Sequence, residues 1–402
     1  MKRIFLSLVL LLSCTMAFSA EIPVPKFKCG PWVVGVSESE MTIVWTSTER
    51  CMGWVEVAPD DGSSFYAVKR PRYYEDFLGR HVVTKVHHVR LTGLKPGTTY
   101  RYRVHQQGVD DSGHSPISSG KVVASSPYDL FKITTLDKSK QEINFSVIND
   151  MHGRDSLMNA LTKEFNTRTE LEFVVFNGDM ASFMGSIEDI EKDFMTRATT
   201  NFAPNKPLFY VRGNHETRGN MARSYDEYIH NTRDGKYYGV YYCGDTAVIM
   251  LDSGEDKLDS HEVYAGFTAF DEYRLEQVEW LKQVIKSKEF RKAKHRIILL
   301  HIPPAVEAMK ERQEKVVTEM LEWHGNEHWG DILFPALKGT RIDLMISAHM
   351  HQHLYFPTHK GVHDFPIVVN DNVSSMLVRC NEEGISLKIT NRKGEVTFEE
   401  KF

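Results

Sequence analysis

The chain has 402 residues, 41% of them hydrophobic and 26% charged, a globular balance that excludes disorder over most of its length. Forty-nine Lys and Arg stand against 54 Asp and Glu, a net charge of −5. That mild acidity argues against a nucleic-acid partner, which would call for a basic face, and the length predicts about two to three domains.

Residues 1–19 read as a leader rather than as part of the fold. Lys2 and Arg3 precede an apolar run over 4–12, and Ala17-Phe18-Ser19 supplies small residues around a cut after Ser19. This is the layout of a secretory signal. It predicts export to the periplasm, the cell surface or the medium. A second reading uses Leu11-Leu12-Ser13-Cys14, the pattern of a bacterial lipoprotein signal with a lipid anchor on Cys14. No later apolar run approaches about 18 residues, so no transmembrane helix is expected. Cys29, Cys51, Cys243 and Cys380 then remain. Export permits disulfides; Cys29–Cys51 with Cys243–Cys380 keeps each bond inside one domain and is the preferred pairing, with four buried free thiols as the alternative.

Residues 22–137 read as an all-β sandwich. The run from Met41 to Trp45 is rich in β-branched and aromatic residues, and Trp45 is expected in the core. Leu94-Lys95-Pro96 followed by Tyr100 has the spacing of the tyrosine corner of fibronectin type III sandwiches. Tyr100, Tyr102 and Val104 share one face by the strand period of two. Residues 106–128, rich in Gly, Ser, Asp and Pro, read as an extended loop with one short strand. His81, His87 and His88 are expected to be solvent-exposed, and 137–140 forms a linker.

From 141 to 402 the pattern changes to apolar strands alternating with helices, which predicts α/β layers. Strands are expected at 145–148, 173–176, 208–211, 247–251, 296–300, 344–346 and 367–369. Helices are expected at 157–171, 187–199 and 270–287, and a β-meander over 376–399. Five of the strands end in metal-ligand residue types: Asp150-Met151-His152, Gly178-Asp179, Gly213-Asn214-His215-Glu216, His301, and Ala348-His349-Met350-His351. In an α/β sheet the functional crevice lies beyond the carboxyl ends of the strands. Any one of these groups could be a structural histidine or a turn aspartate; five in sequence are hard to obtain that way.

This order of motifs resembles the calcineurin-like metallophosphoesterase superfamily. The preceding sandwich makes the chain most similar to its purple acid phosphatase branch, as does Gln277-Val278-Glu279-Trp280-Leu281 on the helix after the Leu251 strand. The resemblance implies a fibronectin type III-like sandwich followed by an α/β four-layer β-sandwich metallophosphoesterase domain. It also implies two metal ions (Fe, Zn or Mn). Asp150, His152, Asp179 and His351 would hold one, and Asp179, Asn214, His301 and His349 the other, with Asp179 as the bridge. Such a pair clamps the oxygens of an in-line displacement and lowers the pKa of a bound water. His215 would lie beside the metals and protonate or hydrogen-bond the leaving oxygen, with a purely orienting role as the alternative.

Two departures from the purple pattern stand out. Ser182 occupies the position where purple members carry a tyrosine, three residues after the bridging aspartate. No match to the branch's substrate histidines follows His301. Arg154 is a candidate phosphate contact, with a surface ion pair as its alternative, and His353 a candidate for the same crevice. The segment from Trp323 to Trp329 is read as a loop that could line the pocket mouth. The expected activity is hydrolysis of a small phosphate monoester. The rivals are a phosphodiesterase acting on nucleotides or lipid head groups, and a cell-surface binding protein with an inactive phosphatase domain.

Overall fold

The computed structural model describes residues 21–125, 130–229, 235–311 and 313–402. The segment 1–19 read as a secretory signal, Cys14 included, lies outside these residues.

One strand organises the first half. Glu40–Pro59 runs for 20 residues, and its register breaks between Thr46 and Cys51. The leading part pairs with Phe27–Val34 and Val83–Thr92, and the trailing part with Thr99–Asp110 and Arg72–Tyr74. This single strand therefore serves both layers of the sandwich. Met41, Ile43 and Trp45 point into the core with Val89, Leu91 and Tyr102. Tyr100, Tyr102 and Val104 are all buried, and the Tyr100 hydroxyl accepts the Lys95 N–H at 2.9 Å, which closes the corner. Residues 106–110, expected in a loop, instead continue their strand to Asp110.

The opposite face of the same strand is covered as well. Val44 packs with Trp32 and Val34 in a cluster shared with the second half. Thr46 Oγ1 donates to Glu191 Oε1 at 2.6 Å, Trp32 Nε1 to the Tyr228 carbonyl at 2.8 Å, and the Tyr102 hydroxyl to the Pro204 carbonyl at 2.7 Å. His87 departs from expectation: it is 1% exposed and stacks on Trp45 with ring centroids 4.7 Å apart. Burial lowers its pKa to about 4.

The second half contains two facing six-stranded sheets. The first runs Leu208–Val211, Leu171–Asn177, Ile143–Ile148, Ser374–Asn381, Gly384–Asn391, Val396–Lys401. The second runs Gly239–Cys243, Thr246–Leu251, His295–Leu300, Leu344–Ser347, Ile367–Val369, Leu354–Phe356. Side chains alternate between two environments, as the strand period requires. Phe145, Val147, Phe173 and Val175 meet Val248, Ile297 and Leu299 between the sheets, whereas Ile148, Val174, Phe176 and Tyr210 face outward under helices. Helices Phe270–Val284 and His324–Leu337 cover the second sheet. Both faces of the central parallel strands, such as Ile143–Ile148 and His295–Leu300, are thus buried, which is why the sequence shows continuous runs there rather than alternation.

Three further expectations need correction. The helix expected over 157–171 is confined to Asp155–Thr162. The segment read as a loop from Trp323 forms the helix His324–Leu337, with Pro335 in its last turn. Its Gly330 serves packing rather than flexibility, since an added Cβ would lie 1.9 Å from the Ala305 carbonyl oxygen. The preferred disulfides are also absent: all four cysteines are buried free thiols. Cys29 faces Thr196 and Thr199, whereas Cys51 faces Ser47 and His87. Burial raises the Cys29 and Cys51 thiols to about 11, and Cys243 and Cys380 to about 12.

Candidate metal centre

The central strands of each sheet are parallel, so their carboxyl ends open on one side. There the five motifs converge. Asp150, Asp179, Asn214, His301 and His349 are all at most 5% exposed, while His152, His215 and His351 are more open.

Two carboxylate oxygens form the hubs. Asp150 Oδ1 is buried and receives no hydrogen bond. Around it stand the Nε2 atoms of His351, His301 and His152 at 3.3, 3.9 and 4.0 Å. Asp179 Oδ2 lies 3.2 Å from His301 Nε2, 3.8 Å from His215 Nε2 and 3.9 Å from His152 Nε2. The pocket-facing end of the Asn214 amide is 3.2 Å from His349 Nδ1 and 3.3 Å from Asp179 Oδ2. With its nitrogen inward the amide donates to both, and its oxygen accepts from Arg218 Nη2 at 3.0 Å; turned over, it would offer its oxygen to a cation instead. Donors at about 2.0–2.2 Å from a common ion stand about 3.0–3.6 Å apart, close to these spacings. A buried carboxylate oxygen without a partner, ringed by imidazoles, fits a cation.

Surrounding groups fix the donors. His301 Nδ1 donates to the Asn177 carbonyl at 2.7 Å, which leaves Nε2 for the site. Asp150 Oδ2 accepts the Asn149 amide at 2.7 Å and the His349 N–H at 3.1 Å. His215 Nδ1 donates to the Ser182 carbonyl at 2.8 Å. Burial opposes charge on His301, but Asp179 and Asp150 outweigh it and raise its pKa to about 10. Burial lowers His152 and His349 to about 4, which keeps them neutral as ligands must be.

The backbone carries a cost here. Asp150, His152, Asp179, His349 and His351 have φ values of 50°, 46°, 54°, 70° and 55°. Among the described residues only Leu78 and Ala265 join them as non-glycines with positive φ. The left-handed region costs on the order of 1–2 kcal/mol per L-residue, so strain is concentrated at the site.

Three groups had no role assigned from the sequence. Glu216 is fully buried and accepts the N–H groups of Asp179, Met180, Ala181 and Gly213 and the Tyr210 hydroxyl. It ties the loop of Asp179 to the loop of Asn214; its only signal was its place directly after His215. Arg218 forms a bidentate pair with buried Glu255, both contacts 2.7 Å, and its Nη1 lies 3.4 Å from His215 Nε2. Gln277 is the third: it brackets the end of the Thr246–Leu251 strand, accepting the Asp252 N–H and donating to the Asp252 carbonyl, both at 2.8 Å.

Other candidates lie elsewhere or act otherwise. Arg154 directs its guanidinium at the carbonyls of Met151, Asp150 and Asn372, bracing the first motif instead of facing a ligand. His353 donates to the Val369 carbonyl at 3.1 Å and packs on Phe398, so its two-residue offset from His351 does not bring it to the centre. Trp323 does border the centre, with its ring 5.4 Å from His349. Ser182 Oγ stands 3.4 Å from His152 Nδ1.

The profile of the calcineurin-like phosphoesterase family matches residues 143–353, and that of the purple acid phosphatase N-terminal domain matches residues 32–121. The chain belongs to the calcineurin-like phosphoesterase family. Members of that family use a dinuclear metal centre, which the donor set above fits. The chain is 21% identical over 280 residues to purple acid phosphatase 21 of Arabidopsis thaliana, a match covering 68% of this chain and 53% of the relative. The chain thus spans about half the length of the curated relative it matches. Its fold is shared with a purple acid phosphatase from yellow lupin (Lupinus luteus) seeds, at a TM-score of 0.65 and 14% identity over 94% of this chain and 74% of the other.

Proposed function

We propose that the protein is an exported phosphoesterase that hydrolyses a phosphate monoester at a dinuclear metal centre. The observation that carries this reading is the convergence of imidazoles on two buried carboxylate oxygens, Asp150 Oδ1 and Asp179 Oδ2, the first of which receives no hydrogen bond. Asp150, His152, Asp179 and His351 would hold one ion, and Asp179, Asn214, His301 and His349 the other. Bound there, the pair supplies Lewis acidity toward phosphoryl oxygens and lowers the pKa of water.

The chain's own residues do the rest. The carbonyls of Asn177 and Ser182 hold the His301 and His215 rings in one orientation. His215 then presents Nε2 to the site while Nδ1–H stays bonded. As imidazolium it delivers the Nε2 proton to the departing oxygen. Trp323 borders the cleft beside His349. The apolar leader after Lys2 and Arg3 supports export.

The test uses chelated protein reloaded with Fe, Zn or Mn and assayed on phosphate mono- and diesters. Turnover of a monoester that depends on added metal is expected; no metal-dependent turnover of any monoester sinks the reading. His215→Ala gives the second arm. An alkyl leaving group needs the proton, so kcat/KM falls by about 10²–10⁴-fold; a nitrophenyl group departs without it, and the loss is much smaller. Equal losses at unchanged metal content would leave His215 as an orienting residue.

A further inference from the structure

A second cluster of ligand-type side chains lies outside the centre. Helix Phe270–Val284 contributes Asp271, and helix His324–Leu337 contributes His324 and His328. The two histidines are four residues apart and so share one helix face. His324 Nε2 is 2.8 Å and His328 Nδ1 3.0 Å from the same oxygen, Asp271 Oδ1. The rings lie nearly parallel, 19° apart with centroids at 5.3 Å. All three donor atoms fall within 4.8 Å of one another.

The surroundings of this cluster are fixed. Arg274 is fully buried, and its guanidinium is committed on every side: to the Ser253 carbonyl at 3.0 Å, to the Glu255 carbonyl, and to Asp271 Oδ1 at 2.8 Å. It also approaches His328 Nδ1 at 3.4 Å. Asp259 accepts the N–H groups of Phe270 and Asp271, both at 2.9 Å, holding the first turn of that helix. The Arg274 contact holds the Asp271 carboxylate itself, as outer hydrogen bonds orient a ligating carboxylate. The Asp271, His324 and His328 side chains remain 35, 26 and 17% exposed, which leaves an entry path and room for water.

We propose that Asp271, His324 and His328 form a third metal site, separate from the dinuclear centre, that takes Zn²⁺ with water as its fourth ligand. Two imidazoles, one carboxylate and an open position suit a tetrahedral Zn²⁺. At about 2.1 Å from the ion, tetrahedral ligands stand about 3.4 Å apart; the present 2.8 and 3.0 Å contacts open by a few tenths of an ångström to admit it. Neutral imidazole is required, and burial pushes His328 in that direction. An ion here ties the first turn of helix His324–Leu337 to helix Phe270–Val284. Trp323, immediately before that turn, leans on His349. The site therefore braces the cleft wall without entering the chemistry.

The experiment counts ions. Full-length protein is stripped with chelator, titrated with Zn²⁺ at neutral pH, desalted and measured by elemental analysis and calorimetry. The wild type should bind one more Zn²⁺ per chain than His324→Ala/His328→Ala, whatever the occupancy of the dinuclear centre. Because the readout is a difference between two proteins, it stands even if the proposed phosphatase activity is not found. Should the double variant unfold, Asp271→Asn keeps the shape of the cluster and weakens the anionic ligand. Its extra Zn²⁺ should then bind roughly 10–100-fold more weakly, the scale seen when even an outer partner of a metal site is lost. Equal Zn²⁺ content in a folded double variant, or unchanged Zn²⁺ affinity in Asp271→Asn, would overturn the proposal.

Discussion

Replacing Glu216 by glutamine changes one buried atom and tests how the centre is held. Oε1 of Glu216 accepts from the Met180 N–H at 2.7 Å, the Ala181 N–H at 3.2 Å and the Tyr210 hydroxyl at 2.9 Å; Oε2 accepts from the N–H groups of Asp179 and Gly213, both at 2.9 Å. Glutamine can keep its oxygen on the first three. Its NH₂ then faces two N–H donors, each left unsatisfied at a cost of about 1–3 kcal/mol. Burial and the nearby Asp179 carboxylate raise the pKa of Glu216, so removing the charge recovers part of that. The net loss is about 2–4 kcal/mol, a large share of a typical domain's stability. Equilibrium urea unfolding of chelated wild type and Glu216→Gln, fitted with a common slope, measures it. Metal content of the reloaded variant should fall too, because Asp179 and Asn214 lose their common anchor. A loss below about 0.5 kcal/mol, the range of ordinary surface changes, would mean that Glu216 is neutral in the fold and that the five-donor argument is wrong.

Other perturbations address the centre and the sandwich. Asp179→Ala removes the shared carboxylate, so elemental analysis should show both ions diminished; retention of two per chain would refute the bridge. Gly213→Ala would set a Cβ 2.2 Å from Asp179 Oδ1 and should abolish metal retention, with a normal metal content counting against the packing argument. With Ser182 beside His152, iron-loaded protein should lack a strong visible tyrosinate band, and an intense one would place another tyrosine on the metal. His87 has its pKa lowered to about 4 by burial, against about 6.5 unfolded. The unfolded state therefore binds more protons between those values, and stability falls as pH drops through that window. The loss from pH 7 to pH 5 is about 2 kcal/mol; urea unfolding at the two pH values should show it, with a shallower dependence in His87→Gln.

Much of the second half was legible because apolar runs bounded by ligand residues are strong signals. The strands found at Leu208–Val211 and Ile367–Val369 coincide with those read from sequence, and the others differ by one or two residues at their ends. Helix His324–Leu337 was missed because Gly325, Gly330 and Pro335 look like loop punctuation; close contact with the Ala305 carbonyl is a tertiary reason that no local pattern records. His87 was misjudged because Glu40–Pro59 and its neighbours are covered on both faces, which erases the alternation that marks a buried side. The donors of the centre stood out as residue types at strand ends. Glu255 and Arg218 did not, since a pair 37 residues apart in sequence leaves no trace in spacing. Arg154 was read from the affinity of guanidinium for phosphate and its place beside the first motif, His353 from its two-residue offset from His351, and backbone carbonyls hold both.

The five left-handed residues of the centre also bear on the rival view of an idle copy. Asparagine tolerates that conformation better than most residues, and glycine adopts it freely. A chain relieved of chemistry could put either at positions 150, 152, 179, 349 and 351 and shed strain at each step. Drift would then run downhill, toward a calmer and more robust body. This sequence carries aspartate or histidine at all five, residue types that enter the region more readily than most but less freely than glycine, so each ligand-type choice still forgoes some backbone ease.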